Sequence, residues 1–220
     1  LYNTVDSIVV GQYIGDTALA AVGTAGPILN LLLVLFMGIA TGASILSAQY
    51  FGAHDRPTLS RVVGASILLL VVSSLLMSFI GYFLSPWLMS LVAPPEDVMA
   101  GAVTYLQIIF AGILGAALYN ILAGVLRGLG DSLMPLASLL VASVLNIILD
   151  IVFVSQLNMG VAGVAWATVI AQVVSGTMCL VRLCRMKQVV DVNRETLRPD
   201  WPIIGRLCSL GLPAGITQAI

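Results

Sequence analysis

Between Arg61 and Glu96 the chain carries no charged residue. So long an apolar run is more than one element of a soluble core can use. About 20 consecutive apolar residues let a helix cross a bilayer, and only helices and closed barrels satisfy their backbone groups there. The rest of the chain repeats the pattern. Of its 220 residues, 60% are hydrophobic and 9% are charged, against about 25% charged in a soluble domain. The fold class this predicts is an all-α polytopic membrane protein. Polar and Gly/Pro punctuation places helices over about 18–50, 62–84, 98–126, 135–155 and 160–182. Residues 1–10 read as the C-terminal part of an earlier helix, and a further helix starts near Pro202. Pro27 is the expected kink in the 18–50 helix. The stretch SPWLMSLVAPPED after residue 84 reads as an interfacial segment, with Trp87 at headgroup level.

The basic residues set an orientation. Arg56 and Arg61 fall between the 18–50 and 62–84 helices, and Arg127 between the 98–126 and 135–155 helices. Arg182, Arg185, Lys187, Arg194, Arg198 and Arg206 surround the connection after residue 182. These are all nine basic residues, and the alternate connections hold none. Positive-inside bias therefore predicts that the three basic connections, and the N-terminus, are cytoplasmic. The first residue is Leu1 and the last, Ile220, lies in an apolar run; both ends read as cut from a longer chain.

Several function classes drop out. A net charge of −1 gives no basic excess for nucleic acid. His54 is the only histidine, and Cys179, Cys184 and Cys208 show no metal or redox spacing, so they read as free thiols and no cofactor is expected. Glycines such as the Gly38/Gly42 pair read as close-packing positions between helices.

Eight of the ten acidic residues lie in connections or near helix ends; Asp6 and Asp150 do not. A carboxylate within the bilayer costs at least about 2.5–3.5 kcal/mol and marks a cavity, a partner or an ion path. Asn146 and Asp150, four residues apart in LNIILD, share one helix face. At about 1.5 Å per residue, Asp150 lies roughly 8–10 Å below the outer end of its helix and Thr168 roughly 12 Å below the start of the next; Asp6 falls in the same outer layer. If their helices are neighbours, Asp6, Asn146, Asp150 and Thr168 supply two carboxylates, an amide oxygen and a hydroxyl. That set suits a hard cation such as Na⁺ and equally a proton. The plainer alternative for Asp150 is a protonated side chain hydrogen-bonded between helices. Asn30, Tyr105, Tyr119, Asn120 and Gln172 are candidate cavity residues, each also open to reading as an interhelical hydrogen bond.

Five motifs in order carry a family resemblance: VD-x3-VG-x-YIG-x2-ALAAVG from Val5, G-x3-GAS-x3-AQY-x-GA from Gly38, LRG-x-GD-x3-P from Leu126, LN-x3-D from Leu145 and GVAG-x-A-x-AT from Gly160. Together with LGLPAGITQ at 210–218 they resemble the multidrug and toxic compound extrusion (MATE) family. The resemblance implies two six-helix lobes around a central cavity. Residues 1–182 would be the N-terminal bundle with its first helix truncated, 183–201 a cytoplasmic inter-lobe linker and 202–220 the start of the second bundle. It implies a monomeric secondary transporter of the bacterial inner membrane that exchanges small organic cations for Na⁺ or H⁺ by alternating access. Asp6, Asn146, Asp150 and Thr168 match the family's ion-coupling positions; Tyr105 and Asn120 resemble cavity residues.

Three other readings compete. A lipid-linked precursor flippase of the same superfamily would carry more basic residues in mid-helix. GLGD at 128–131 matches the pattern of intramembrane aspartyl proteases, with Asp131 and Asp6 as the catalytic pair. A purely structural membrane subunit would tolerate Asn at positions 6 and 150.

Overall fold

The structure is a computed structural model that describes residue 11, residues 15–191, residue 196 and residues 198–219. Asp6 and the helix expected over residues 1–10 lie outside the described residues. The described chain is helical: α1 (Asp16–Gly52), α2 (Arg56–Val92), α3 (Glu96–Ala111), α4 (Ile113–Gly128), α5 (Leu133–Ile151), α6 (Gly160–Arg185) and α7 (Trp201–Ala219). A π-helical turn, Val152–Gln156, extends α5. Four of these, α1, α2, α5 with its π turn and α6, are long and apolar enough to span a membrane, and the α3/α4 pair adds a fifth broken span.

The bilayer inverts the usual amphipathic logic. Lipid accepts apolar surface without cost, so polar groups must go inward. On α2, Val72, Leu75, Leu76, Phe79 and Phe83 are exposed, whereas Ser60, Ser66, Ser74 and Ser85 are buried. Three of these serines return their hydroxyls to their own helix, as Ser66 does to the Val62 carbonyl at 2.8 Å.

α1 lies at the centre, packed against α2, α3, α4 and α7; α6 packs between α4 and α5. Glycines set the closest approaches. A Cβ on Gly124 would strike the Ala40 carbonyl oxygen, and one on Gly128 that of Ser44, so α1 and α4 touch backbone to backbone. Gly38 and Gly42 of α1 face Gly211 and Gly215 of α7 in the same way: a Cβ on Gly38 would sit 2.6 Å from the Gly211 carbonyl oxygen. Two small-x3-small pairs thus face each other, and dispersion between backbones replaces the hydrophobic effect that lipid cannot supply.

Two expectations are corrected here. The 62–84 helix does not end at residue 84: α2 continues through Pro86 to Val92. Proline removes one i→i−4 bond, which orphans the Tyr82 carbonyl, and the Gln107 amide of α3 approaches that carbonyl at 3.5 Å. The single helix expected over 98–126 is two, bent by 50° at Gly112. The Val169 side chain of α6 fills the space a Cβ at Gly112 would need. The bend lets α3 follow α2 while α4 follows α6.

The basic connections meet at one end of the bundle. Arg56 pairs with Asp191 at 2.9 Å and donates to the Lys187 carbonyl at 2.6 Å, while the Asp191 amide donates to Ser60 Oγ. Arg182 pairs with Asp131, and Arg206 donates to the Tyr50 hydroxyl at 3.0 Å.

Candidate functional site

The site forms where α5 meets α6. The buried residues of α5 are Pro135, Ser138, Ala142, Asn146 and Asp150. They recur every three or four positions and so make one stripe along a 3.6-residue helix. The opposite face, including Leu140, Val144, Ile147 and Ile148, is exposed. Polar or small side chains in and branched apolar ones out is the arrangement that lipid demands.

On the facing helix, Thr168 is 5% exposed, while Asn146 and Asp150 are fully buried. The Asn146 amide donates to Thr168 Oγ1 across the interface at 3.5 Å. The amide oxygen Oδ1 of Asn146 is buried and accepts no hydrogen bond among the described residues. An unsatisfied buried acceptor costs about 1–3 kcal/mol. A cation or a proton donor beside it would remove that cost. Asp150 is the last residue but one of α5, two positions before the first residue of the π turn; such turns insert an extra residue and often sit at functional positions. The structure therefore brings Asn146 to Thr168, with Asp150 one turn further along the same buried stripe of α5; Asp6 lies outside the described residues.

The candidate cavity residues divide. Tyr105, Gln172 and Thr168 line one narrow cavity of about 40 Å³ with Leu29, Leu33 and Phe36, between α1, α3, α4 and α6. The Thr168 hydroxyl thus borders both this cavity and the Asn146 contact. Asn30 is exposed on α1 and does not line it. Tyr119 donates to the Pro135 carbonyl at 3.4 Å, tying α4 to α5, and Asn120 donates to the Ala116 carbonyl of its own helix at 2.8 Å.

Ser138 was not singled out from the sequence. It is buried two turns along the stripe from Asn146, with Oγ 3.4 Å from the Cys179 sulfur of α6. The spacing Ser138, Ala142, Asn146, Asp150 was the available signal.

Asp131 is occupied elsewhere. One carboxylate oxygen accepts the Met134 amide at 3.1 Å and caps α5; the other accepts Arg182 Nε–H at 2.7 Å. The Arg182 bond holds its carboxyl below the usual carboxylate range, against the smaller opposing effect of burial. An aspartyl protease needs a carboxyl pair that shares a proton. A capped, ion-paired Asp131 in a turn is not that group, and the GLGD reading falls. Among the described residues no group of three His, Cys, Asp or Glu forms a metal site.

Comparison with known proteins agrees with this architecture. The family model described as MatE matches residues 1–152. The chain is 32% identical over its full length to the Bacillus subtilis protein named "Probable multidrug resistance protein YpnP", covering 49% of that protein. It is 30% identical over 98% of its length to "Probable multidrug resistance protein YoeA" of the same organism, covering 48% of it. Among solved structures, an inward-facing multidrug resistance MATE family transporter of the MOP superfamily superposes with a TM-score of 0.93 at 27% identity, over 99% of this chain and 50% of the other. The chain spans about half the length of the curated relatives it matches.

Proposed function

Because the chain belongs to the MatE family of membrane transporters, we propose that it supplies the ion-coupling lobe of a multidrug exporter. In this reading, small organic cations leave the cell in exchange for Na⁺ or H⁺. The carrying observation is the meeting of Asn146 and Thr168 across α5 and α6, with Asp150 buried one helical turn from Asn146. Asp6 is assigned to the same site as a second carboxylate. Residues 1–182 make the bundle, 183–201 the linker and 202–220 the start of the opposing lobe, with the basic connections facing the cytoplasm of a bacterial inner membrane. The unit is a monomer.

The mechanism follows from what each group can hold. Asp150 carries the charge that a cation or proton neutralises. Asn146 offers a carbonyl oxygen, and its amide fixes Thr168. Thr168 offers a hydroxyl oxygen at the edge of the cavity lined by Tyr105 and Gln172, and Asn30, Tyr119 and Asn120 are assigned to a wider substrate surface. Neutralising the carboxylates lowers the cost of their burial, which favours a closed packing of α5 on α6. An ion that binds one conformation better than the other shifts the equilibrium by that difference alone, and competition with the drug for the same negative charge then couples the two fluxes.

The test is efflux of a fluorescent organic cation from proteoliposomes holding the complete protein, under an imposed Na⁺ gradient and then an imposed pH gradient. Transport driven by one gradient and lost in Asp150→Asn at equal expression is expected. Normal gradient-driven efflux by Asp150→Asn would sink the assignment.

A further inference from the structure

At the basic end of the bundle, α5 and α6 diverge around a cleft of about 550 Å³, separate from the polar site between the same helices. Its two ends differ in chemistry. One wall is apolar, with Leu133 and Ala137 from α5 and Met178 from α6; Leu133 is 77% exposed. The other end carries Arg182 and Arg185 from the last turn of α6, with Asp131 alongside. Asp131 takes only the Nε–H of Arg182. The two Nη groups of that guanidinium make no hydrogen bond among the described residues, and Arg185 is exposed with no ion pair among them. The lining therefore has two positive charges against one negative. The N-terminus of α5, 19 residues long, adds its partial positive charge at the same end.

The geometry points to a site for one anionic phospholipid, its phosphate on Arg182 and Arg185 and an acyl chain along the Leu133–Ala137–Met178 wall. Charge and polarity both select this occupant. A guanidinium fork matches phosphate oxygens, and basic pockets between spanning helices take anionic headgroups. A free phosphate would leave the apolar wall uncovered. A neutral lipid would leave the surplus positive charge unmatched. The cleft opens where the apolar surface of α5 meets the basic last turn of α6, as a headgroup meets its chains.

The test is native mass spectrometry of the full protein in neutral detergent with dioleoylphosphatidylglycerol or dioleoylphosphatidylcholine. We expect one phosphatidylglycerol retained in preference to phosphatidylcholine. Arg185→Gln, an exposed position, should weaken that retention about fivefold. Arg182→Lys, which keeps the charge, should weaken it less than Arg182→Gln. Ala137→Trp fills the chain groove with both arginines intact and should also weaken it. Equal retention of phosphatidylglycerol by wild type and Arg185→Gln would overturn the site. So would unchanged retention in Ala137→Trp, or displacement of the lipid by millimolar inorganic phosphate, which would make it a pocket for a free anion.

Discussion

At the scale of single residues, three acidic side chains show how position decides role. Asp55 caps α2 by accepting the Thr58 amide at 3.2 Å, which lowers its carboxyl pKa. Asp131 caps α5 and pairs with Arg182. Asp150 is fully buried between spanning helices. Asp131 gives a pH-dependent prediction. Its folded-state pKa is depressed, so its contribution is complete above the ordinary carboxylate pKa and disappears as pH falls through the lowered folded value. Asp131→Asn keeps an oxygen to cap α5 and loses the charge paired with Arg182, so it should cost about 0.5–1 kcal/mol near neutral pH. Melting curves of wild type and variant in detergent check this: the Tm gap should be open at neutral pH and close in strong acid. A gap that persists there would mean that the charge contributes nothing.

At the scale of elements, backbone contact between helices is the feature most sensitive to substitution. Gly124 and Gly23 make a controlled pair. A Cβ at Gly124 would overlap the Ala40 carbonyl of α1, whereas one at Gly23 meets nothing within 4 Å. Gly124→Val should separate α1 from α4 and destabilise by about 1–3 kcal/mol or more. Gly23→Ala should be neutral or stabilise by about 0.5–1 kcal/mol, because alanine loses less backbone entropy in a helix. The yield of monodisperse protein and its Tm would separate the two; an equal loss in both would argue that glycine content itself, not the contact, matters. Helix existence and approximate span were legible in the sequence, because a bilayer requires long apolar runs whatever packs against them. The break at Gly112 and the continuation through Pro86 were not. Each depends on a partner from another helix: the Val169 side chain in one case, the Gln107 amide in the other.

At the scale of the whole molecule, the chain after α6 returns to the bundle. Val190 is buried, and Arg56 holds both Asp191 and the Lys187 carbonyl. These contacts join the turn between α1 and α2 to the connection that leads into α7. Arg56→Gln should raise the rate of tryptic cleavage after Lys187 about fivefold, the effect of losing roughly 1 kcal/mol of local closure. An unchanged rate would show that Val190 burial alone holds the segment. The glycine seam of α1 on α7 is a second contact between segments far apart in the chain.

The linear order of residues is enough to establish the membrane class, the helical repertoire, the clustering of basic connections and the exceptional status of LNIILD. These follow from composition and from a helical period of 3.6 residues, which act locally. It also marked Asn146 and Asp150 as sharing a face, since a spacing of four is local geometry. Packing between distant helices is what brings Thr168 to Asn146, gives Tyr105 and Gln172 a cavity shared with Thr168, and spends Asp131 on Arg182. Which helices become neighbours depends on where glycines allow backbones to touch. In lipid that choice is made by van der Waals fit between distant segments, and no local pattern in the chain encodes it.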